Sequence, residues 1–175
     1  MKIGTKSLLF GVHQFLWHPI CVGRAWRLLY QRWPNRVEWL AIFLHDVGYW
    51  GCSDMDGKCG RNHPKRGARL LYAFVKWWTK DELLAYSWWL MVVGHSKTYS
   101  AICRAPLSPL YYADKVAALM EPAWLYMLRA WMTGEDKEFI ANSPVQDERL
   151  GTWFKWYREK VANEHLNRKE KLSVH

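Results

Sequence analysis

Histidine and aspartate side chains recur along the first two thirds of the chain in an order that suits a metal centre. His45 and Asp46 are adjacent at the end of the apolar run in AIFLHDVGYWG, and Gly48 follows them. Imidazole nitrogen and carboxylate oxygen are the donors that borderline and hard divalent metals prefer when rigid elements hold them. We therefore predict six metal ligands, which are His18, His45, Asp46, His63, His95 and Asp114.

The order of these residues predicts how two divalent ions would share them. One ion would take four ligands, and a second ion would take His63 and His95 and share Asp46 with the first. Two ions about 3.5–4 Å apart generate a hydroxide nucleophile at neutral pH and clamp a phosphoryl oxygen. The sequence does not distinguish Fe, Mn, Co, Ni, Zn or Mg.

Cationic side chains closely follow several of the predicted ligands. Lys115, Lys97, Lys65 and Arg66 are candidates to neutralise charge on a phosphate, and ordinary surface charge is the alternative for each. Two interpretations of His13 are open: it is part of a pocket, or it is a packed side chain. Tyr49, Trp50 and Tyr99 are candidates for stacking on a base.

Apolar residues recur at helical intervals almost throughout, so we predict an all-α fold. Prolines and capping residues set most of the expected boundaries, including a capping box at Thr79–Glu82 and a last helix opened by Ser143–Gln146. A glycine-rich surface loop is expected over 51–62. The predicted helices cover about 19–31, 36–47, 63–78, a fourth that Thr79–Glu82 opens and that reaches about 93, then 109–120, 122–131 and a final segment that reaches about 164.

The chain of 175 residues fits one domain, with a core over about 13–121, a helical extension over about 122–165 and a polar tail over 166–175. Beyond about Glu164 we expect a frayed tail in which His165 and His175 are solvated. The four cysteines show no CxxC spacing and are predicted to be reduced thiols, which indicates a cytoplasmic protein. They are Cys21, Cys52, Cys59 and Cys103.

The net charge and the aromatic content of the chain indicate which kinds of partner it could bind. The formal charge of +9 favours anionic partners and suits nucleotides, nucleic acid or acidic lipid equally. The longest apolar stretch, over 83–94, is too short to span a bilayer, so no membrane partner is expected. Thirteen tryptophans indicate a thick core together with an interface, and we expect a homo-oligomer.

The ordered ligands resemble those of the HD-domain superfamily of metal-dependent phosphohydrolases. The matching segments are HPICVGRAW, FLHDVG and YYADKVA, and the segments HPKRGARLL and GHSKTYS look like the extra histidine segments of members with two metals. The resemblance covers roughly residues 13–121. The order of motifs is also similar to that of HD-type symmetrical dinucleoside tetraphosphate hydrolases. It implies an HD helical bundle, two metal ions and hydrolysis of a phosphate ester or anhydride.

Three functions are compatible with the sequence. The leading hypothesis is a phosphohydrolase that acts on a phosphorylated small molecule, most simply a nucleotide. Some six-ligand HD proteins instead hold mixed-valent di-iron and activate oxygen, so an oxygenase is the second hypothesis. The third is a non-catalytic module that binds a nucleotide or RNA, although nucleic acid is not the favoured partner.

Overall fold

The chain folds into α-helices joined by turns and short loops. The computed structural model describes residues 1–145, 147 and 149–166, and no strand occurs within these ranges, so the all-α prediction is confirmed. The described helices are α1 Ile3–Phe10, α2 Trp17–Tyr30, α3 Arg36–Leu44, α4 Pro64–Thr79, α5 Glu82–Val93, α6 Lys97–Cys103, α7 Pro109–Met120, α8 Ala123–Thr133, α9 Glu135–Ala141 and α10 Leu150–Val161.

The helix boundaries agree best with the predictions where proline and capping residues punctuate the sequence. Helix α7 has the predicted bounds, with Pro109 in its first turn. Helix α3 begins as predicted, where Asn35 and Glu38 form a capping box, but it ends at Leu44 rather than Val47. His45 therefore lies at the helix end, and a single 3-10 turn follows over Val47–Tyr49.

The predicted capping box at Thr79–Glu82 is wrong in its details. Thr79 closes α4, and its hydroxyl donates to the carbonyl of Val75 at 2.8 Å. Lys80 adopts a left-handed conformation with φ of 59°, which reverses the chain. Asp81 then caps α5, because its side chain accepts a hydrogen bond from the Leu84 N–H at 2.9 Å.

The end of the chain also departs from the prediction. The hydroxyl of Ser143 accepts a hydrogen bond from the Val145 N–H and closes a local turn, and α10 begins only at Leu150. Gln146 of the predicted cap lies outside the described residues, as do residues 167–175, which include most of the predicted polar tail and His175. A π-helical turn over Ala162–Leu166 extends α10.

Two helix pairs build the main core. Helix α2 packs along α7, and α4 packs along α5. Val22 and Trp26 of α2 are at most 2% exposed, as are Leu110 and Val116 of α7. Burial of each such side chain contributes about 1.5–3 kcal/mol to folding. This pairing brings the start of α2, with His18, beside the middle of α7.

Two glycines allow the start of α4 to approach the end of α3. A Cβ atom at Gly48 would lie 1.8 Å from the carbonyl oxygen of His63, and one at Gly67 would lie 2.1 Å from that of Leu44. Any larger residue would therefore force these backbones apart. The close approach places His63 beside His45 and Asp46.

The C-terminal helices form a second core against the N-terminal segment. Tyr126 of α8 and Phe154 of α10 stack with ring centroids 4.2 Å apart. Trp153 and Val12 join the same buried cluster. The last third of the chain is therefore packed onto the first residues.

Two of the four cysteines contradict the prediction of reduced thiols. Cys52 and Cys59 form a disulfide with their Cα atoms 5.4 Å apart. The segment between them folds back on itself, because the Asp54 carboxylate accepts a hydrogen bond from the Gly60 N–H at 2.8 Å. This return brings the two sulfur atoms together. Cys21 and Cys103 are free.

The tryptophans divide between the interior and the surface. Trp26 and Trp153 are at most 6% exposed, whereas Trp78, Trp124 and Trp131 are each more than 60% exposed. An interface between subunits stays a prediction. In the part of the chain described here, none of the helices has both the length and the apolar character that crossing a membrane requires.

Candidate metal centre

Three of the predicted histidine ligands are held in the same way at helix ends. The Nδ1 atoms of His45, His63 and His95 lie 2.5, 2.6 and 2.5 Å from the carbonyl oxygens of the residues three positions earlier. A carbonyl oxygen can only accept, so each Nδ1 carries the hydrogen. In the neutral ring this leaves a lone pair on Nε2, which is the tautomer that a metal ligand requires.

One group of donors gathers around His45. The Nε2 atom of His45 lies 3.3 Å from that of His18 and 3.1 Å from Oδ2 of Asp46. Asp114, in the middle of α7, places Oδ1 3.1 Å from Nε2 of His18 and 3.6 Å from that of His45. Two nitrogens and two carboxylates from α2, the end of α3 and α7 therefore converge.

A second group gathers on the other oxygen of Asp46. Its Oδ1 lies 3.4 Å from Nε2 of His63 and 3.6 Å from Nε2 of His95. The two imidazole nitrogens are 2.9 Å apart. Asp46 thus faces one group with each of its oxygens, and both groups have the composition and spacing to hold a metal ion.

The donor set fits divalent cations because its lone pairs are otherwise uncompensated. His63 and His95 point Nε2 lone pairs at each other when both rings are neutral, and both side chains are at most 8% exposed. Oδ2 of Asp46 is buried and has no hydrogen bond of good geometry from any described residue, although Nε2 of His45 lies 3.1 Å away. Buried polar atoms of this kind are rare unless an ion or water satisfies them. Buried His and Asp groups could therefore hold metal here, while the identity and number of ions stay predictions.

The electrostatics keep the carboxylates ionised. Burial alone would raise the pKa of Asp46, but the adjacent His45 and His13 rings outweigh it and hold the pKa well below 3.8. Burial likewise opposes ionisation of Asp114, and Lys115 and His18 lower the pKa of that carboxyl well below its usual range. Two carboxylates with lowered pKa values therefore face the imidazoles.

The histidines respond to this charge in opposite ways. Burial lowers the pKa of His63 to about 4, so its ring stays neutral at physiological pH. Burial also opposes protonation of His45, but Asp46 and Asp114 raise its pKa to about 10. In the metal-free protein a proton on His45 supplies positive charge that a divalent ion would replace.

A cavity of about 400 Å³ opens beside both donor groups, and both cationic and acidic side chains line it. Lys115 is held by Asp114, whose Oδ2 lies 3.0 Å from Nζ, and that carboxylate raises the lysine pKa although burial lowers it. Lys97 also lines this cavity. Lys65 and Arg66 do not; they line a neighbouring groove beside Trp50.

His13 lines the same cavity and is anchored by a buried carboxylate. Glu135 is fully buried and accepts hydrogen bonds from the hydroxyls of Ser7 and Thr133 at 2.6 and 2.5 Å and from the Val12 N–H at 3.2 Å. Nδ1 of His13 lies 3.1 Å from the same carboxylate. The ring is therefore fixed from the side opposite Nε2.

Both interpretations of His13, as a pocket residue and as a packed side chain, therefore agree with part of its surroundings. Its ring centroid lies 4.9 Å from that of Tyr49 and 5.6 Å from that of His18. It is packed, and it also faces the cavity beside the candidate metal centre. Glu135, its anchor, carries no local sequence signal because it lies 122 residues away.

Arg61, which belongs to the basic cluster in the sequence around His63, also lines the cavity. Tyr157 and Lys160 of α10 line it as well, and they were not predicted as site residues. Their spacing on α10 could have indicated a common face, but not which cavity it closes. The prediction that His165 is solvated is wrong, because its side chain is 9% exposed and contacts Tyr111 while lining the cavity.

No protein-family model, curated protein or solved structure matched the chain when each was compared with it. The resemblance to the HD-domain superfamily therefore depends on the ordered residues alone.

Proposed function

We propose that this protein is a phosphohydrolase that uses two divalent ions. The observation that carries the proposal is the Asp46 carboxylate, whose two oxygens face two separate donor groups. The shared carboxylate is what a dinuclear centre requires. The proposed ligands are His18, His45, Asp46 and Asp114 for one ion, and Asp46, His63 and His95 for the other.

Divalent ions bound at such a centre lower the pKa of a water molecule and withdraw charge from a phosphoryl oxygen. The surrounding side chains bind and orient the phosphate. Lys115 is fixed by Asp114 and can donate its remaining hydrogens to a phosphate oxygen, while Lys97 and Arg61 offer cations from other walls. Such fixed charges stabilise the negative charge of the transition state.

His13 is proposed to move a proton. Its Nδ1 is engaged by Glu135, so Nε2 is the atom that exchanges a proton with the substrate. Protonation of the leaving-group oxygen by this nitrogen would complete the cleavage. Glu135 keeps the ring oriented, much as a buried carboxylate orients the histidine of a hydrolase triad.

The cations that line the cavity favour an anionic substrate group such as phosphate. The volume of about 400 Å³ lies within the range of about 300–1,000 Å³ typical of small-molecule sites. Tyr111 and Tyr157 supply aromatic walls, which suit a nucleotide. The four cations are Arg61, Lys97, Lys115 and Lys160.

The proposal is tested by metal analysis of the purified full-length protein, followed by phosphate release assays. Nucleoside mono-, di- and triphosphates, cyclic nucleotides and dinucleoside polyphosphates would be assayed with manganese or cobalt. We expect release from at least one class, and its loss in the Asp46→Asn variant. Glu38→Gln is the matched control, because Glu38 is a buried carboxylate paired with Arg32 outside the cavity.

Other outcomes identify the alternatives. Bound iron with oxygen consumption and no phosphate release would replace this proposal by an oxygenase. Tight nucleotide binding without turnover under any metal would leave a binding module. Cytoplasmic location and self-association are further proposals that the metal assay does not address.

A further inference from the structure

A second cavity lies beside the proposed metal centre, and most of its charged side chains are cationic. This α4 groove has a volume of about 920 Å³ and is bordered by the first turns of α4 and by the loop that the disulfide closes. Three cations come from α4 and one from the loop. They are Lys65, Arg66, Arg69 and Lys58.

The charge in the α4 groove is not neutralised from within. Asp54 is the one carboxylate among the lining residues, and it is turned to its own loop, where it accepts hydrogen bonds from the Gly60 N–H and the Ser53 hydroxyl. Among the described residues, no carboxylate forms an ion pair with any of the four cations. Four like charges around one cavity repel one another and attract an anion.

One of the cations is preorganised next to an exposed aromatic ring. Nη1 of Arg66 donates to the carbonyl oxygen of Trp50 at 3.0 Å, which fixes the guanidinium at the groove wall. The Trp50 side chain is 55% exposed and lines the same groove, as does Leu70, which is 50% exposed. The groove thus combines a phosphate-binding side with an apolar side.

We propose that the α4 groove is a second ligand site, which binds a nucleoside diphosphate or triphosphate. The phosphates would contact Lys58, Lys65, Arg66 and Arg69, and the base would stack on Trp50. Arginine forks suit phosphate oxygens, and an aromatic face accepts any base. The volume fits one ligand of this size rather than a nucleic-acid strand.

The site is separate from the metal centre. The two cavities share no lining residue, although His63 lies between Asn62, which lines the groove, and Lys65. The segment 60–66 therefore presents neighbouring residues to different cavities. A ligand in the groove does not depend on the proposed hydrolytic reaction.

Calorimetric binding of two probes tests the proposal on the full-length protein. The probes are α,β-methylene ADP, which resists hydrolysis between its phosphates, and inorganic pyrophosphate. Measurements in the Asp46→Asn variant remove the contribution of bound metal, and the binding event that Lys65→Gln/Arg69→Gln weakens is assigned to the groove. If that variant does not fold, the wild-type protein is titrated instead. Binding in the groove is then expected as one of two binding events.

The decisive variant is Lys65→Gln/Arg69→Gln. Removal of two charge-assisted contacts is expected to weaken α,β-methylene ADP about tenfold or more. The control, Arg24→Gln/Lys155→Gln, removes the same charge from exposed positions outside both cavities and should leave binding unchanged. Trp50→Ala should bring the affinity of the nucleotide down to that of pyrophosphate.

Three results would overturn the proposal. One is the absence of saturable binding by α,β-methylene ADP. Another is an equal loss in the control variant, which would mean diffuse attraction to a basic surface. The third is equal affinity for both probes with no effect of Trp50→Ala, which would leave a site for inorganic polyanions. Since binding rather than turnover is measured, none of these results depends on phosphohydrolase activity.

Discussion

Replacement of Asp46 by asparagine should empty both halves of the metal centre. The amide has nearly the same shape as the carboxylate, so the change removes charge while volume is preserved. Oδ2 lies 3.1 Å from Nε2 of His45, and Oδ1 lies 3.4 Å from Nε2 of His63, so both groups lose the same anion. Loss of one partner from a buried charge pair costs about 3–5 kcal/mol. That corresponds to about 10²- to 10⁴-fold weaker binding of each ion.

The assay is metal content per chain after gel filtration, with Asp114→Asn as the comparison. Asp114 faces only the group that contains His18 and His45. Asp114→Asn should therefore retain one ion, whereas Asp46→Asn retains less than one and the wild-type protein two. Glu38→Gln, which breaks the buried pair with Arg32, should keep both ions even if it lowers the melting temperature.

The reasoning would be refuted by two patterns of metal content. If Asp46→Asn kept two ions, the carboxylate would not be shared between the groups. If both aspartate variants lost the same number of ions, the centre would hold a single metal that depends on both carboxylates. Circular dichroism of each variant shows whether the fold is retained.

Four further predictions concern separate features of the molecule. In the chelated protein, folding raises the pKa of His45 from 6.5 to about 10. The stabilisation that comes from protonated His45 is therefore complete below pH 6.5 and is lost as the pH approaches 10. Without metal, the melting temperature should fall over that interval. Glu135→Gln should slow phosphate release about 10- to 100-fold and alter its pH profile, because His13 loses its anchor. Cys59→Ser should lower stability by about 2–3 kcal/mol, a difference that vanishes when the wild-type protein is reduced. Trp131→Ser should shift sedimentation toward a smaller species if the exposed ring of Trp131 lies in a subunit interface, and an unchanged monomer would refute that interface.

The sequence predicts the fold well where local signals are strong. Helix α7 has its predicted bounds because Ser108-Pro109 opens it and Glu121-Pro122 follows it. Helices α1, α6 and α9 were missed because each has at most eight residues, which is too short for a clear helical period. Helix α6 has an N-cap, because the Ser96 hydroxyl accepts a hydrogen bond from the Tyr99 N–H at 3.3 Å, whereas α1 and α9 have no side-chain cap and depend on tertiary packing.

The candidate site, like the fold, is predictable only where local sequence signals are strong. The histidine ligands are recognisable because each stands at or near a helix end, and the structure brings them together around Asp46. The anchor Glu135 and the α10 wall were not predictable, because they reach the cavity only through long-range packing. The disulfide was missed for a similar reason, since only the folded loop brings Cys52 to Cys59.

The buried Glu135 carboxylate also sets an order in which the molecule acquires its properties during synthesis. A nascent chain that has emerged through Asp114 already carries every proposed ligand, but His13 still lacks the residue that orients it. The α10 wall emerges later still. On the proposed function, metal binding would therefore precede the orientation of His13, and full hydrolytic activity would require that the C-terminal helices have left the ribosome and packed.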